Sequence, residues 1–160
     1  MEMGGLVVAI IGGAMAVFMA GIGSSIGVGL AGQAANGVLS ESPEKFGRMF
    51  LLVALSGTQG FYGFVVGFLV IIKLGLLVGE IPVISLYQGL QIFGACMPIA
   101  FSGLISAIHQ GKVCAAGIGV AAKQPGAEMR ALIYAALVET YALLGLVTSF
   151  FLLTGIRLGG

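Results

Sequence analysis

The sequence predicts an all-α integral membrane protein with four transmembrane helices, laid out as two tandem duplicated hairpins. Three observations predict it. The 160 residues are 59% hydrophobic and only 8% charged, with a mean hydropathy of +1.14, more apolar surface than a water-soluble fold of this size buries. Long apolar stretches alternate with short polar breaks. The second half of the chain repeats the first at a constant offset, the one that carries Pro43 onto Pro125.

The helices are expected at 5–39, 46–79, 84–123 and 127–156. Each exceeds the ~20 residues that cross a bilayer, so tilt or protruding ends follow. The breaks are Ser40-Glu41-Ser42-Pro43-Glu44-Lys45, Gly79-Glu80-Ile81-Pro82 and Lys123-Gln124-Pro125-Gly126, where Pro and Gly punctuate turns. Met1-Glu2-Met3 lacks a basic n-region, which argues against a cleaved secretory signal. The 28 glycines suit close approach of membrane helices.

Orientation follows from the basic residues. Lys45, Arg48, Lys112, Lys123 and Arg130 flank the first and third turns, whereas Lys73 and Arg157 lie at the other side. The positive-inside rule places the first and third turns in the cytoplasm and both termini outside.

The repeat pairs Pro43 with Pro125, Arg48 with Arg130, Thr58 with Thr140 and Gly63 with Gly145. It also pairs Gly21, Gly29 and Gly37 with Gly103, Gly111 and Gly119, and Ala54-Leu55 with Ala136-Leu137. Residues 1–80 then form one hairpin and 81–160 a second, in parallel orientation. Gly57 falls opposite Glu139, so only the second hairpin carries a carboxylate and each chain offers one ion site.

Glu139 dominates the functional reading. It lies in an uncharged run between Arg130 and Arg157, about 6 Å from the middle of that run at ~1.5 Å per residue. An ionisable group at this depth is costly and marks a functional site. Gln110 precedes Pro125 by almost the same stretch of chain as Glu139 follows it, which puts both at one depth in an antiparallel hairpin. Leu55, Thr58, Gln59 and Tyr62 follow Pro43 at comparable separations, so they fall in the same layer. Their i, i+3, i+4, i+7 spacing places them on one helix face, within an arc of roughly 100°.

A carboxylate, two amide oxygens and a hydroxyl are hard donors that suit a hard cation, and a backbone carbonyl adds a fifth where the helix leaves one free. One negative charge neutralises one monovalent ion, whereas Ca²⁺ or Mg²⁺ leaves an uncompensated charge. A proton needs only Glu139 and one acceptor, so the surplus of oxygens favours Na⁺.

The duplicated hairpin, the Glu of the last helix and the stripe Leu55-x-x-Thr58-Gln59-x-x-Tyr62 resemble the K subunit (proteolipid, or c subunit) family of bacterial Na⁺-transporting V-type ATPases. The resemblance covers essentially the whole chain. It implies a homo-oligomeric rotor ring of identical chains, with the first and third helices inside and the second and fourth outside. It implies one Na⁺ per chain, held by the Leu55 carbonyl, Thr58 hydroxyl, Gln59 and Gln110 amide oxygens and Glu139 carboxylate, with Tyr62 bonding Glu139. The implied partners are a stator membrane subunit with an essential Arg, central-stalk subunits on the cytoplasmic side, and membrane lipid. The chain itself is then not catalytic but the ion-translocating subunit of an ATP-driven pump.

Other readings of the residues are an H⁺-carrying rotor, a small secondary transporter with one intramembrane Glu, and a pore-forming proteolipid. Gly27-Val28-Gly29-Leu30-Ala31-Gly32 fits a dinucleotide fingerprint but follows no strand, and no P-loop motif is present, so nucleotide binding by this chain is not expected. No basic run tracks phosphates, which excludes nucleic acid. His109 has no partner at metal-ligand spacing, and Lys112 falls about 200° round the helix from Gln110. Cys96 and Cys114 sit about 27 Å apart on one helix and cannot bridge. Pro98 is expected to bend its helix.

Overall fold

A computed structural model describes residues 4–79, 82–124 and 126–158. The expectations for Met1–Met3, Glu80-Ile81 and the turn proline Pro125 lie outside the described residues. Among the described residues the chain is helical with no strand: α1 (Gly4–Leu39), a 3₁₀ turn (Pro43–Lys45), α2 (Phe46–Leu55), α3 (Thr58–Lys73), α4 (Leu86–Lys123) and α5 (Glu128–Gly155). Helices α1, α4 and α5 are each long and apolar enough to cross a membrane, and α2 with α3 passes the same test only as a bent pair, a broken span or a re-entrant loop. The chain is a multi-pass membrane protein.

The expected continuous helix over 46–79 is corrected in two places. It breaks at Ser56-Gly57 with a bend of 40°. There the backbone tightens to i→i+3 bonds, Ser56 N–H to the Val53 carbonyl at 3.2 Å and Gly57 N–H to Ala54 at 3.0 Å. The Ser56 hydroxyl also donates back to the Leu52 carbonyl at 3.3 Å, a bond that bends helices. The second correction is that α3 stops at Lys73. Gly75 takes φ +65°, its N–H donates to Ile72 at 3.0 Å, and the Leu76 N–H reaches back to Ile71 at 3.2 Å. These two bonds make a Schellman stop, which a glycine at that position permits. The apolar run that follows therefore leaves the helix.

Helix α4 starts at Ser85, whose hydroxyl accepts from the Gln88 N–H while the Gln88 side chain accepts from the Ser85 N–H, a capping box. Pro98 lies inside α4. The Ile99 N–H beside it donates to the Ser149 hydroxyl of α5 at 3.2 Å, so the neighbouring helix satisfies a backbone group beside the proline.

The most extensive packing joins α1 to α4 along a seam of small residues. A methyl group at Gly23 would sit 2.7 Å from the Leu104 Cα, and one at Gly111 would sit 2.7 Å from the Gly27 carbonyl carbon. Neither gap admits a side chain, so the backbones touch directly. The remaining core divides in two. One cluster holds Ala9, Ala16, Val66, Val70, Ile92, Ile99 and Leu153; the other holds Ala31, Met49, Leu52, Cys114, Ile118 and Ala135. Between them lies a polar layer of Ser24, Ser56, Gln59, Ser106, Gln110 and Glu139, all buried. Cys96 and Cys114 are free and buried.

Gly111→Val should force α1 and α4 apart. Overpacking of this kind typically costs about 1–3 kcal/mol, so the detergent-solubilised protein is expected to unfold several degrees lower in a thermal scan. An unchanged midpoint would show that the seam yields.

Candidate ion-binding site

The part of the polar layer that surrounds Glu139 is built by three helices, α3, α4 and α5. Glu139 projects from α5 and is 9% exposed. Its Oε1 accepts the Tyr62 hydroxyl of α3 at 2.5 Å, and its Oε2 accepts Gln110 Nε2 of α4 at 3.4 Å. Gln110 Nε2 donates also to the Ala135 carbonyl at 3.0 Å. A carbonyl only accepts, so this contact fixes the amide: Gln110 Oε1 must point the other way, where it accepts Gln59 Nε2 at 2.5 Å.

Gln59 is fixed in the same manner. Its Nε2 also reaches Ser106 Oγ at 3.4 Å, and Ser106 commits its only proton to the Val138 carbonyl at 2.9 Å. Ser106 can therefore only accept from Gln59, which turns Gln59 Oε1 towards Thr58. The Thr58 hydroxyl lies 3.4 Å from Gln59 Oε1 and donates to the Leu55 carbonyl at 3.0 Å. Leu55 ends α2, and terminal helix carbonyls lack intrahelical amide partners.

Glu139 thus meets Tyr62 and Gln110 directly, and Gln59 joins through Gln110. Thr58 and Leu55 join through Gln59 and have no bond to Glu139. The even stripe expected from Leu55 to Tyr62 is interrupted, because the break falls between Leu55 and Thr58. Ser106 escaped the sequence reading, although it lies one helical turn before Gln110 and hence on the same face of α4. His109 and Lys112 are exposed on α4, away from Gln110, which is fully buried.

The electrostatics are one-sided. Among the described residues the only ion pair is Arg48 with Glu128, at 3.6 Å between α2 and α5, and none of their basic side chains pairs with Glu139. An ionised carboxylate offers about four lone-pair sites, and two hydrogen bonds are made to it. Among the described residues no cluster of three or more His, Cys, Asp or Glu side chains exists. The donors gathered here are hard oxygens from a carboxylate, two amides, a hydroxyl and a carbonyl, a set that fits an alkali cation.

The fold and this layer define a multi-pass helical membrane protein built round one buried acid. The family model for the C subunit of ATP synthase matches twice, over residues 11–70 and 93–152. The second match is displaced from the first by the offset of the repeat. The chain belongs to the ATP synthase C-subunit family. It is 50% identical over 149 residues to the V-type sodium ATPase subunit K of Enterococcus hirae, covering 93% of this chain and 92% of that one. It is 35% identical to the A-type ATP synthase subunit K of Methanocaldococcus jannaschii, covering 96% of this chain and 65% of that one. To the 16 kDa proteolipid of the V-type proton ATPase of Nephrops norvegicus it is 29% identical, over 91% of this chain and 89% of that one.

Tyr62→Phe removes one donor to Glu139 and little volume. The carboxyl is expected to move more freely and to react several-fold faster with dicyclohexylcarbodiimide, as a lost bond of about 1 kcal/mol implies. Gln110→Leu leaves Gln59 Nε2 and Glu139 each short of a buried partner. It should lower stability by about 1–3 kcal/mol in thermal or denaturant unfolding.

Proposed function

We propose that this chain is the rotor-ring subunit of a V-type ATPase and that it carries Na⁺ across the membrane. One observation carries the reading: polar side chains of three helices join one hydrogen-bonded network round a buried carboxylate that has no basic partner among the described residues. On this reading Glu139, Gln110, Gln59, Thr58 and the Leu55 carbonyl hold one Na⁺ per chain, and Tyr62 holds Glu139 in place. The protein spans the membrane four times as two hairpins, 1–80 and 81–160, with the first and third turns cytoplasmic and both termini outside. Identical chains close into a ring that turns against a stator subunit and is driven by central-stalk subunits. The chain has no catalytic role; ATP is hydrolysed elsewhere in the complex.

The residues themselves explain how such a site travels. A bare carboxylate at mid-membrane costs at least about 3 kcal/mol. With Na⁺ bound, the site is neutral and passes lipid cheaply. Where the ring meets the stator, an arginine from the stator competes for Glu139, releases the ion and blocks a leak. Moving one charge against 100 mV takes about 2.3 kcal/mol, which rotation must supply.

The preference for Na⁺ over a proton rests on the surplus of oxygens and on the sodium ATPase relative. Dicyclohexylcarbodiimide labelling of Glu139 tests it: added Na⁺ at constant pH should protect. Protection by high pH alone would instead identify a proton carrier. Glu139→Gln is expected to abolish ATP-driven Na⁺ uptake into vesicles, and wild-type uptake by that variant would exclude the assignment.

A further inference from the structure

We infer, resting on the Na⁺ reading of the site, that Ser24 is a positioning residue that holds the break in the second span and so presents the Leu55 carbonyl to the ion. Ser24 lies on α1, 7% exposed, and its hydroxyl bonds Gly60 and neither Glu139 nor the glutamines. Its Oγ accepts the Gly60 N–H of α3 at 2.7 Å. In an unbroken helix that amide bonds the carbonyl one turn back, at Ser56. Here it bonds Ser24 and makes no bond to Ser56.

A helix broken in a membrane must have its freed backbone groups satisfied by neighbours. Ser24 does this for Gly60. Without it the nearest remedy is to rewind α2 onto α3 through Ser56-Gly57, which returns Leu55 to the middle of a continuous ladder. Gly60 is small for the same contact, since a methyl group there would sit 3.2 Å from Ser24 Cβ and 3.3 Å from its Oγ.

The duplication supports the assignment. Ser24 and Ser106 are equivalent positions of the repeat, related by the same offset as Pro43 and Pro125. Both stand on one of the two helices of the glycine seam and both reach the backbone of a helix that carries site residues. Ser106 donates to the Val138 carbonyl of α5, where the helix runs unbroken. Ser24 accepts an amide of α3, where the helix is interrupted. The two hydroxyls do opposite work because only the first half needs a free carbonyl.

The test uses assembled wild-type, Ser24→Ala, Ser24→Thr and Ser24→Cys protein. The measurement is the Na⁺ concentration that half-protects Glu139 from dicyclohexylcarbodiimide, together with the pH profile of labelling without Na⁺. Ser24→Ala should raise the half-protecting concentration about tenfold, the effect of losing roughly one ligand's worth of affinity. Its pH profile should match wild type, because Glu139, Tyr62 and Gln110 are untouched. Ser24→Thr, which keeps the oxygen, should stay within about threefold of wild type, and Ser24→Cys, a weak acceptor, should fall between. Wild-type Na⁺ dependence in Ser24→Ala overturns the inference, and so does an equal loss in Ser24→Ala and Ser24→Thr. If Ser24→Ala does not assemble, Cys against Thr decides: equal values overturn the inference, and a weaker Cys supports it. Absence of Na⁺ protection in the wild type overturns the ion reading itself, a result distinct from all of these.

Discussion

A single buried carboxyl group without a basic partner among the described residues governs this molecule. Glu139 lies in the interior layer between two apolar clusters, and no lysine, arginine or histidine among the described residues is paired with it. Burying such a group is tolerable only if it is neutralised or richly hydrogen-bonded. Much of the sequence serves that need. Glycines let α1 and α4 touch, which leaves the facing sides of α3, α4 and α5 to close round the acid. Ser106 and the Ala135 carbonyl orient two glutamine amides, so that Gln110 Oε1 faces Gln59 and Gln59 Oε1 faces Thr58.

The two halves descend from one pattern yet differ where it matters. Thr140 donates to Leu137 at 2.7 Å much as Thr58 donates to Leu55 at 3.0 Å. By the offset of the repeat, however, Tyr141 stands where Gln59 does, Val28 where Gln110 does, and Gly57 where Glu139 does. The second set of positions thus lacks both amides and the acid, and it cannot cage an ion. Gly57 has a use of its own: the backbone breaks beside it, as it does not at Glu139. A position that holds the charge in one half lets the chain bend in the other.

Much of this was legible in the sequence. The repeat, the apolar spans and the common depth of Gln59, Tyr62, Gln110 and Glu139 all follow from counting residues, because helical rise and antiparallel hairpins turn sequence distance into depth. The break at Ser56-Gly57 was not legible. Glycine within an apolar run is common in membrane helices, and the break needs Ser24, which is distant in sequence. The stop at Lys73 was hidden by the apolar residues of 74–78, which continue the hydrophobic pattern after a glycine has turned the backbone. Ser24 and Ser106 looked like the small residues of a packing seam, and only their partners reveal the hydrogen bonds.

The hydrogen bonds within the layer bear on how an ion is both held and released. Gln110 Oε1, one proposed ligand, already accepts Gln59 Nε2, and Glu139 already accepts Tyr62 and Gln110. Each such bond is worth about 0.5–1.5 kcal/mol net. Amide and carboxylate oxygens retain lone pairs beyond those in use, so an ion arriving at the proposed site would complete their coordination without displacing every partner. When the ion leaves, the same bonds remain to cover the oxygens. The difference between loaded and empty states is then smaller than for a cage of bare oxygens. On the proposed reading the glutamines and the tyrosine therefore act on both sides of the balance: they would orient the ligands for an ion, and they stabilise the layer without one.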